Sequence, residues 1–316
     1  MKILATDGFS DSGVTLLKEA GHELIIKNIA ANQLSNFINT HLIEGILVKS
    51  TTPLTEYVLS EINSLKFIGI CDRSSTSVAK DFASQNGIKV FEAEDAWSNS
   101  IAELTIAHLL SCIRYLKDSN REMPLEGDHK FNALKRSFSE GSELKGKTLG
   151  IIGFDKIGQE VAKKAIALGM SVKYYDKTIK SAEIQLNFFD KQSIGFQLNV
   201  TELDEVLSTS DAISIHLPET DNFKIGHREL EKMKASTGII NTSHGKCLDE
   251  LSLIKALNTN KLAFSALDVF EEEPHPSIQL LMNPKLSLSP HISTLTQETQ
   301  NRVAEELSIQ IISNFN

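Results

Sequence analysis

The feature that most constrains the fold is a glycine turn that joins an apolar strand pattern to an amphipathic helix pattern. In KTLGIIGFDKIGQEVAKKAIALG (147–169), Gly153 ends the strand pattern and Gly158 lies in the first helical turn. A glycine at the first position permits a tight turn, and the later glycine lets the helix pack closely on the strand. The helix N-terminus then offers N–H groups and a positive dipole to a phosphate. The segment predicts a doubly wound α/β domain that binds a dinucleotide at this turn.

An acidic residue about 20 residues downstream completes this type of site by binding the ribose hydroxyls. Asp176 follows the next strand pattern, SVKYY (171–175). A carboxylate there repels a 2′-phosphate, which favours NAD over NADP.

The middle glycine of the fingerprint is replaced by Asp155. Its carboxylate adds negative charge near the pyrophosphate and can cap the helix through N–H groups that a phosphate would use. Lys156 offsets part of that charge, and Ile157 begins the helix. Two readings stay open: weakened but retained NAD binding at Gly153, Ile157 and Gly158, or a helix cap on a turn that no longer binds nucleotide.

Strand and helix patterns alternate along the chain on both sides of this turn, which is typical of parallel sheets with crossover helices. A chain of 316 residues is long for one core and suits two domains. The sequence therefore predicts two doubly wound parallel-sheet domains, with a ligand site in the cleft between them.

Composition excludes several classes of protein. The formal net charge is −9 and no run of Lys or Arg forms a basic stripe, so we expect no nucleic-acid partner. No apolar run has transmembrane length, so we expect no membrane partner. The first residues do not resemble a signal peptide, and three scattered cysteines fit no metal or disulfide spacing. These observations predict a soluble cytoplasmic protein whose partner is a small-molecule substrate.

Two neighbouring segments differ in their polarity. SIAELTIAHLLSCIRYL (100–116) is apolar nearly all round, which predicts a helix covered on more than one side and a homodimer through helix 100–116. The following segment, 118–146, is polar and contains glycine, which predicts a long excursion without a regular element.

Five segments together resemble the D-isomer-specific 2-hydroxyacid dehydrogenases, and most closely the short 3-phosphoglycerate dehydrogenases, which lack a C-terminal regulatory domain. The segments are TLGIIGFDKIGQEVAKKAIALGM, SIAELTIAHLL, GIINTSHGKCLDE, ALDVFEEEP and SPHISTLTQETQ. The resemblance implies a Rossmann nucleotide domain (99–289) inserted in a flavodoxin-like substrate domain (1–98 and 290–316). It also implies NAD as cofactor.

The resemblance implies three catalytic positions. His291, in the Pro-His-Ile motif, is the expected general acid–base, and Glu273 before Pro274 is expected to orient it. His244 stands where the family has an arginine that binds the substrate carboxylate. Histidine suits proton transfer near neutral pH. A carboxylate is best held by a charged bidentate fork, however, which an imidazole cannot reproduce. His244 is therefore a functional replacement or, as we favour, the loss of a substrate-binding group.

Further positions follow from the same resemblance. The expected cofactor-side residues, besides those of the glycine turn, are His216, Pro218, Thr242, Ser243, Asp268 and Ser293. The expected substrate-side residues are Lys49, Arg73 and Ser74. The segment Ile70–Thr76 lacks the glycines that expose backbone N–H groups to substrate in the family.

Three hypotheses follow for function. The first is an NAD-dependent oxidoreductase that transfers hydride between NAD(H) and a 2-hydroxy or 2-keto acid, with altered substrate recognition. The second is a catalytically impaired NAD-binding paralogue that acts as a sensor or a partner-binding module. The third is a structural dimer that has lost the nucleotide.

Overall fold

Strand and helix alternation gives two parallel sheets in the computed structural model, which describes residues 1–49, 51–72, 78–93, 95–218 and 221–315. The first unit comprises Met1–Trp97 and Thr294–Asn316, and the second comprises Ser98–Ser293. The second unit is thus inserted in the first along the chain, and residues 290–293 belong to it.

The first unit is a five-stranded parallel sheet with the order β2-β1-β3-β4-β5, the flavodoxin-like order. Its strands β3 and β4 are buried throughout, as expected of central strands covered on both faces. The strands are β1 (Lys2–Ala5), β2 (Glu23–Ile26), β3 (Gly45–Val48), β4 (Phe67–Ile70) and β5 (Lys89–Glu92). The helices are α1 (Asp11–Glu19), α2 (Leu34–His41), α3 (Glu56–Ser60), α4 (Lys80–Gln85) and α12 (Gln297–Phe315).

The second unit is a six-stranded parallel sheet with the order β13-β12-β11-β10-β6-β7. Its strands are β6 (Thr148–Ile152), β7 (Ser171–Tyr175), β10 (Ala212–Ile215), β11 (Gly238–Asn241), β12 (Phe264–Leu267) and β13 (Leu286–Leu288). Its helices are α5 (Ser98–Ile113), α6 (Leu116–Ser137), α7 (Lys156–Ala167), α8 (Leu203–Thr209), α9 (His227–Lys232), α10 (Glu250–Asn258) and α11 (Ile278–Leu281). The predicted fold class, two doubly wound parallel-sheet domains with one inserted in the other, is confirmed.

The predicted excursion over 118–146 is wrong, because α6 occupies Leu116–Ser137. The segment is largely polar, and none of the residues of α6 is buried. Pairs such as Glu126 with Lys130 stabilise such a helix only slightly. The preceding helix ends at Ile113 rather than at 116, since Tyr115 adopts a left-handed conformation with φ 53°.

An antiparallel hairpin, β8 (Ser181–Asn187) and β9 (Ser193–Asn199), lies between β7 and α8 in the chain. Its apolar face is buried near the sheet at Ile184 and uncovered toward the turn, where Phe188, Phe189 and Ile194 are exposed. No element was predicted for this segment. Within the described ranges, the helices include none long and apolar enough to cross a bilayer.

Candidate active site

Most of the predicted site residues follow directly after the strands of the second unit. Because all six strands are parallel, these positions share the carboxyl edge of one sheet, where ligands bind in doubly wound folds. They are Gly153, Asp155, Lys156, Ile157 and Gly158 after β6, Asp176 after β7, His216 and Pro218 after β10, Thr242, Ser243 and His244 after β11, Asp268 and Glu273 after β12, and His291 and Ser293 after β13.

The predicted proton-transfer pair is in direct contact. His291 Nδ1 lies 2.7 Å from Glu273 Oε2, and the other carboxylate oxygen of Glu273 accepts the N–H of Phe270 at 3.0 Å. An ionised carboxylate is an acceptor only, so Nδ1 carries the proton of this bond. The neutral ring then has its acceptor at Nε2, the atom available for a substrate proton.

The backbone around His291 is held by a single residue, Asp268. The carbonyl of Asp268 accepts the N–H of His291 at 2.8 Å, and its two carboxylate oxygens accept those of Ile292 and Ser293, each at 2.9 Å. Three successive N–H groups therefore converge on Asp268, which is fully buried. This holds His291 in the left-handed region, with φ 53°, where residues other than glycine are strained by about 1–3 kcal/mol.

The glycine turn has the shape that the sequence predicted. Gly153 has φ +90°, and a Cβ there would lie 2.3 Å from the carbonyl oxygen of His216. A Cβ on Gly158 would lie 2.4 Å from the carbonyl oxygen of Gly153. Any side chain at either position would separate the turn from β10 or from α7, so both glycines are required by packing.

Asp155 is the N-cap of α7. Its Oδ1 accepts the N–H of Ile157 at 3.0 Å and that of Gly158 at 3.2 Å. The carboxylate therefore occupies two N–H groups at the helix end that phosphate would approach. Lys156 is the first residue of the helix and is exposed.

Asp176 lies against the same turn. Its Oδ2 accepts the N–H of Phe154 at 2.7 Å, while Oδ1 accepts from Thr178 and Ile179. Partial burial by itself would raise the pKa of Asp176, but these hydrogen bonds together hold the pKa below its ordinary value. The carboxylate is thus ionised at neutral pH, as exclusion of a 2′-phosphate requires.

A hollow of about 550 Å³ lies beside Asp176, lined by Lys177, Pro218 and residues 221–223. Lys177 is paired with Asp221 at 2.7 Å and lies over the ring of Phe223. The Lys177 ammonium above all, followed by the N–H of Phe223 and the charge of His244, holds the pKa of Asp221 below its ordinary value against the effect of burial. The lysine and the aspartate are 44 residues apart, and no sequence signal connects them.

His244 is half-buried and its Nε2 lies 3.1 Å from the carbonyl oxygen of Pro218. Its backbone is fixed by Asn241, whose amide donates to the His244 carbonyl and whose Oδ1 accepts the N–H of Ser243, both at 3.0 Å. Gly245 completes this turn, since a Cβ there would lie 1.8 Å from the carbonyl oxygen of Phe270. The backbone of residues 241–245 is therefore fixed by contacts that do not involve the side chain at position 244.

The remaining cofactor-side residues are buried and hydrogen-bonded within the protein. His216 Nε2 lies 2.7 Å from the Ser214 hydroxyl, and the Ser243 hydroxyl donates to the Leu217 carbonyl. Thr242 Oγ1 lies 2.8 Å from Thr105 Oγ1 in α5. These contacts give the three side chains a role in holding the sheet edge together.

Among the predicted substrate-side residues, Lys49 lies half-buried at the end of β3 in the first unit. Its backbone N–H donates to the carboxylate of Asp7. Asp7 also accepts from the hydroxyls of Thr6, Thr51 and Thr52. Arg73 and Ser74 lie outside the described residues.

Sequence reasoning missed Asn241, which frames the His244 turn, and Ser289, which donates to Asp268. Asn241 could have been found, because it lies in the motif that contains His244, whereas nothing marked Ser289. In the described part of the chain, no group of three or more His, Cys, Asp or Glu side chains could hold a metal ion.

The residues at this edge fit a dinucleotide such as NAD. Gly153 and Gly158 form the tight turn, the Asp176 carboxylate is placed at that turn, and the neighbouring hollow is large enough for a flat ring system. Asp155 opposes binding, because its carboxylate occupies two N–H groups at the helix end. The two-domain fold and the residues at this sheet edge are those of a dinucleotide-dependent dehydrogenase.

Comparisons with known proteins agree. The family "D-isomer specific 2-hydroxyacid dehydrogenase, NAD binding domain" matches residues 106–293. The D-3-phosphoglycerate dehydrogenase of Bacillus subtilis is 31% identical over 314 residues, which cover 98% of this chain and 56% of that protein. The hydroxypyruvate reductase of Thermotoga maritima is 33% identical over 270 residues, 84% of this chain and 82% of that protein. The NAD-dependent formate dehydrogenase of Staphylococcus aureus, solved in complex with NAD, superimposes with a TM-score of 0.77 at 25% identity, over 100% of this chain and 96% of that one.

The chain belongs to the D-isomer-specific 2-hydroxyacid dehydrogenase family, and its second unit contains the NAD-binding domain of that family. It spans little more than half the length of the phosphoglycerate dehydrogenases of Bacillus subtilis and Methanocaldococcus jannaschii that it matches.

Proposed function

We propose that this protein is an NAD-dependent oxidoreductase that transfers hydride between NAD(H) and a 2-hydroxy or 2-keto acid. The observation that carries the proposal is the His291–Glu273 pair, with Nδ1 and Oε2 2.7 Å apart at the carboxyl edge of an NAD-binding sheet. In this proposal the first unit, with Lys49, is the substrate-binding domain.

The geometry of the His291–Glu273 pair indicates how the proton moves in each direction of the reaction. In the reduction direction, His291 enters protonated and gives the Nε2 proton to the carbonyl oxygen of the substrate, while Glu273 keeps the other proton at Nδ1 and stabilises the charged ring. In the oxidation direction, the neutral ring accepts the hydroxyl proton at Nε2. A histidine in such a role contributes about 10²–10⁴-fold to the rate.

When bound, NAD(H) supplies or accepts the hydride. The residues that would hold it are the glycine turn at Gly153 and Gly158, the Asp176 carboxylate on the adenosine ribose, and the hollow beside Pro218. Asp268 is fully buried and bonded to Ser289, Ile292 and Ser293, so it would support the nicotinamide end only indirectly, by holding this loop in place.

Turnover with NADH tests the proposal directly. We expect slow but measurable oxidation of NADH with glyoxylate, hydroxypyruvate or another 2-keto acid, and a much weaker response with NADPH. Absence of turnover with the whole panel, in protein that binds NADH by nicotinamide fluorescence, would refute the proposed activity.

One observation favours the second candidate, a catalytically impaired NAD-binding paralogue. The Nε2 atom of His244 lies 3.1 Å from the carbonyl oxygen of Pro218, so the imidazole is engaged within the protein and does not supply the charged bidentate fork of an arginine. If the protein is such a paralogue, it binds NADH but does not reduce 2-keto acids.

The Asp155 cap leads to a prediction about cofactor affinity. Asp155→Asn keeps a good N-cap and removes the charge, so we expect NADH to bind several-fold more tightly, as about 1 kcal/mol of repulsion is relieved. Asp155→Gly should gain up to about tenfold, with a few tenths of a kcal/mol lost in helix capping. Nicotinamide fluorescence titration measures both constants. Unchanged or weaker NADH binding in both variants would show that this carboxylate does not face the phosphates.

We also propose a homodimer formed through α5 and α6. No residue of the 22-residue α6 is buried, and an isolated helix gains little stability without packing. Several large apolar side chains of the two helices are exposed, as is typical of an interaction surface; they are Leu110, Leu116, Met123, Leu125 and Phe131. A second copy of the chain, related by two-fold symmetry, can cover these side chains.

Location of the protein in the cytoplasm is a prediction from the sequence.

Sedimentation velocity at micromolar concentration is expected to give a dimer. Phe131→Glu should shift the protein toward monomer, because it places a charge among the exposed apolar side chains of α6. Phe188→Glu is the matched control, since Phe188 is a partly exposed phenylalanine like Phe131 and lies at the hairpin turn, outside α5 and α6. A monomeric wild-type protein would disprove the proposal.

A further inference from the structure

His108 is a buried histidine that the proposed reaction does not use directly. It lies in α5, which packs against β11, β12 and β13, and only 7% of its surface is exposed. Both ring nitrogens face serine hydroxyls of one segment, with Nδ1 3.0 Å from Ser287 Oγ and Nε2 2.8 Å from Ser289 Oγ.

The hydrogen-bond directions in this cluster are determined by one contact. Ser289 Oγ lies 2.5 Å from Asp268 Oδ1, and a carboxylate oxygen is an acceptor, so the serine donates its single proton there. Ser289 can then only accept from His108, which places a proton on Nε2. Burial lowers the pKa of His108, against a smaller opposing effect of the Asp268 charge, so the ring is neutral and Nδ1 accepts from Ser287.

The chain of hydrogen bonds continues to the backbone of the proposed acid–base. Asp268 Oδ1, which receives the Ser289 proton, also accepts the N–H of Ile292 at 2.9 Å. The other oxygen accepts the N–H of Ser293, and the backbone carbonyl accepts that of His291. The orientation of the Asp268 carboxylate therefore sets the path of residues 291–293 and the left-handed backbone of His291.

We infer that His108 is a positioning residue, which acts through Ser289 and Asp268 to hold His291 in line with Glu273. The inference rests on the proposed function for its effect on turnover, but the hydrogen-bond relay can be measured without turnover. A displacement of about 1 Å at a reacting group can cost about 10²-fold in rate. We therefore expect loss of the relay to lower kcat about tenfold or more.

The test compares substitutions that differ in one hydrogen bond. His108→Leu fills similar space but cannot donate to Ser289, whereas the amide of His108→Gln can occupy the Nε2 position and donate. Ser289→Ala breaks the same link by removing one oxygen atom and serves if His108→Leu folds poorly. Ser287→Ala is the matched control, because it removes the other ring contact and leaves the relay to Asp268 intact.

Two readouts are needed. In steady-state reduction of hydroxypyruvate by NADH, we expect kcat to fall in His108→Leu and Ser289→Ala with little change in NADH affinity, and to recover in His108→Gln. In ¹⁵N NMR of the free protein, we expect the Nε2–H tautomer at His108. We also expect the imidazole resonances of His291 to shift in the same two variants and to stay near their wild-type values in Ser287→Ala.

Different results would overturn different claims. If wild-type protein does not turn over but the NMR pattern appears, the proposed function fails and the relay stands. An Nδ1–H tautomer at His108 would overturn the relay. So would His291 resonances that are unchanged in Ser289→Ala, or equal effects of Ser287→Ala and Ser289→Ala.

Discussion

His291→Ala is expected to lower kcat for 2-keto acid reduction by about 10²–10⁴-fold, with NADH affinity unchanged. The variant removes Nε2, the proposed proton donor to the carbonyl oxygen, and leaves the glycine turn and Asp176 in place. Steady-state kinetics with NADH and hydroxypyruvate, together with nicotinamide fluorescence, separate the two effects.

Glu273→Gln tests the partner in this pair. It keeps a side chain of the same shape beside Nδ1 but removes the charge that stabilises the protonated ring, so we expect a smaller loss of about 10–10²-fold. Glu272→Gln is the matched control, because Glu272 is the adjacent exposed carboxylate. Equal activity of His291→Ala and wild type would show that another group moves the proton.

His244→Arg is expected to raise 2-keto acid reduction by about 10²-fold or more, a gain on the order of 3 kcal/mol in transition-state stabilisation. The backbone frame for an arginine is intact, since Asn241 and Gly245 fix the turn independently of residue 244. A guanidinium supplies the bidentate fork and the permanent charge that the imidazole lacks.

Two further variants sharpen this experiment. His244→Lys supplies charge without the fork and should gain clearly less than His244→Arg. The double variant His244→Arg with His291→Ala should lose whatever the arginine restores, because both act in one reaction. Fast turnover by wild type, or no gain with arginine, would show that position 244 is not the missing substrate contact.

The sequence by itself determined the fold class and the order of the site residues. Parallel strand–helix alternation leaves few topologies, and the residue after each strand is bound to reach the same sheet edge. For this reason Gly153 and Asp176 could be assigned to that edge from their position in the chain, whereas His244 and His291 were implied by the family resemblance. The cap formed by Asp155 could also be anticipated, because it depends on contacts within three residues.

Tertiary structure decided the features that depend on residues far apart in the chain. The α6 helix is largely polar and none of its residues is buried, so hydrophobic periodicity gave little sign of it. The direction of the His244 ring depends on Pro218, 26 residues away. The relay from His108 through Ser289 to Asp268 joins α5 to the sheet edge over 181 and 21 residues of chain. A buried histidine and a serine each have many possible partners, and packing of α5 on the sheet selects among them.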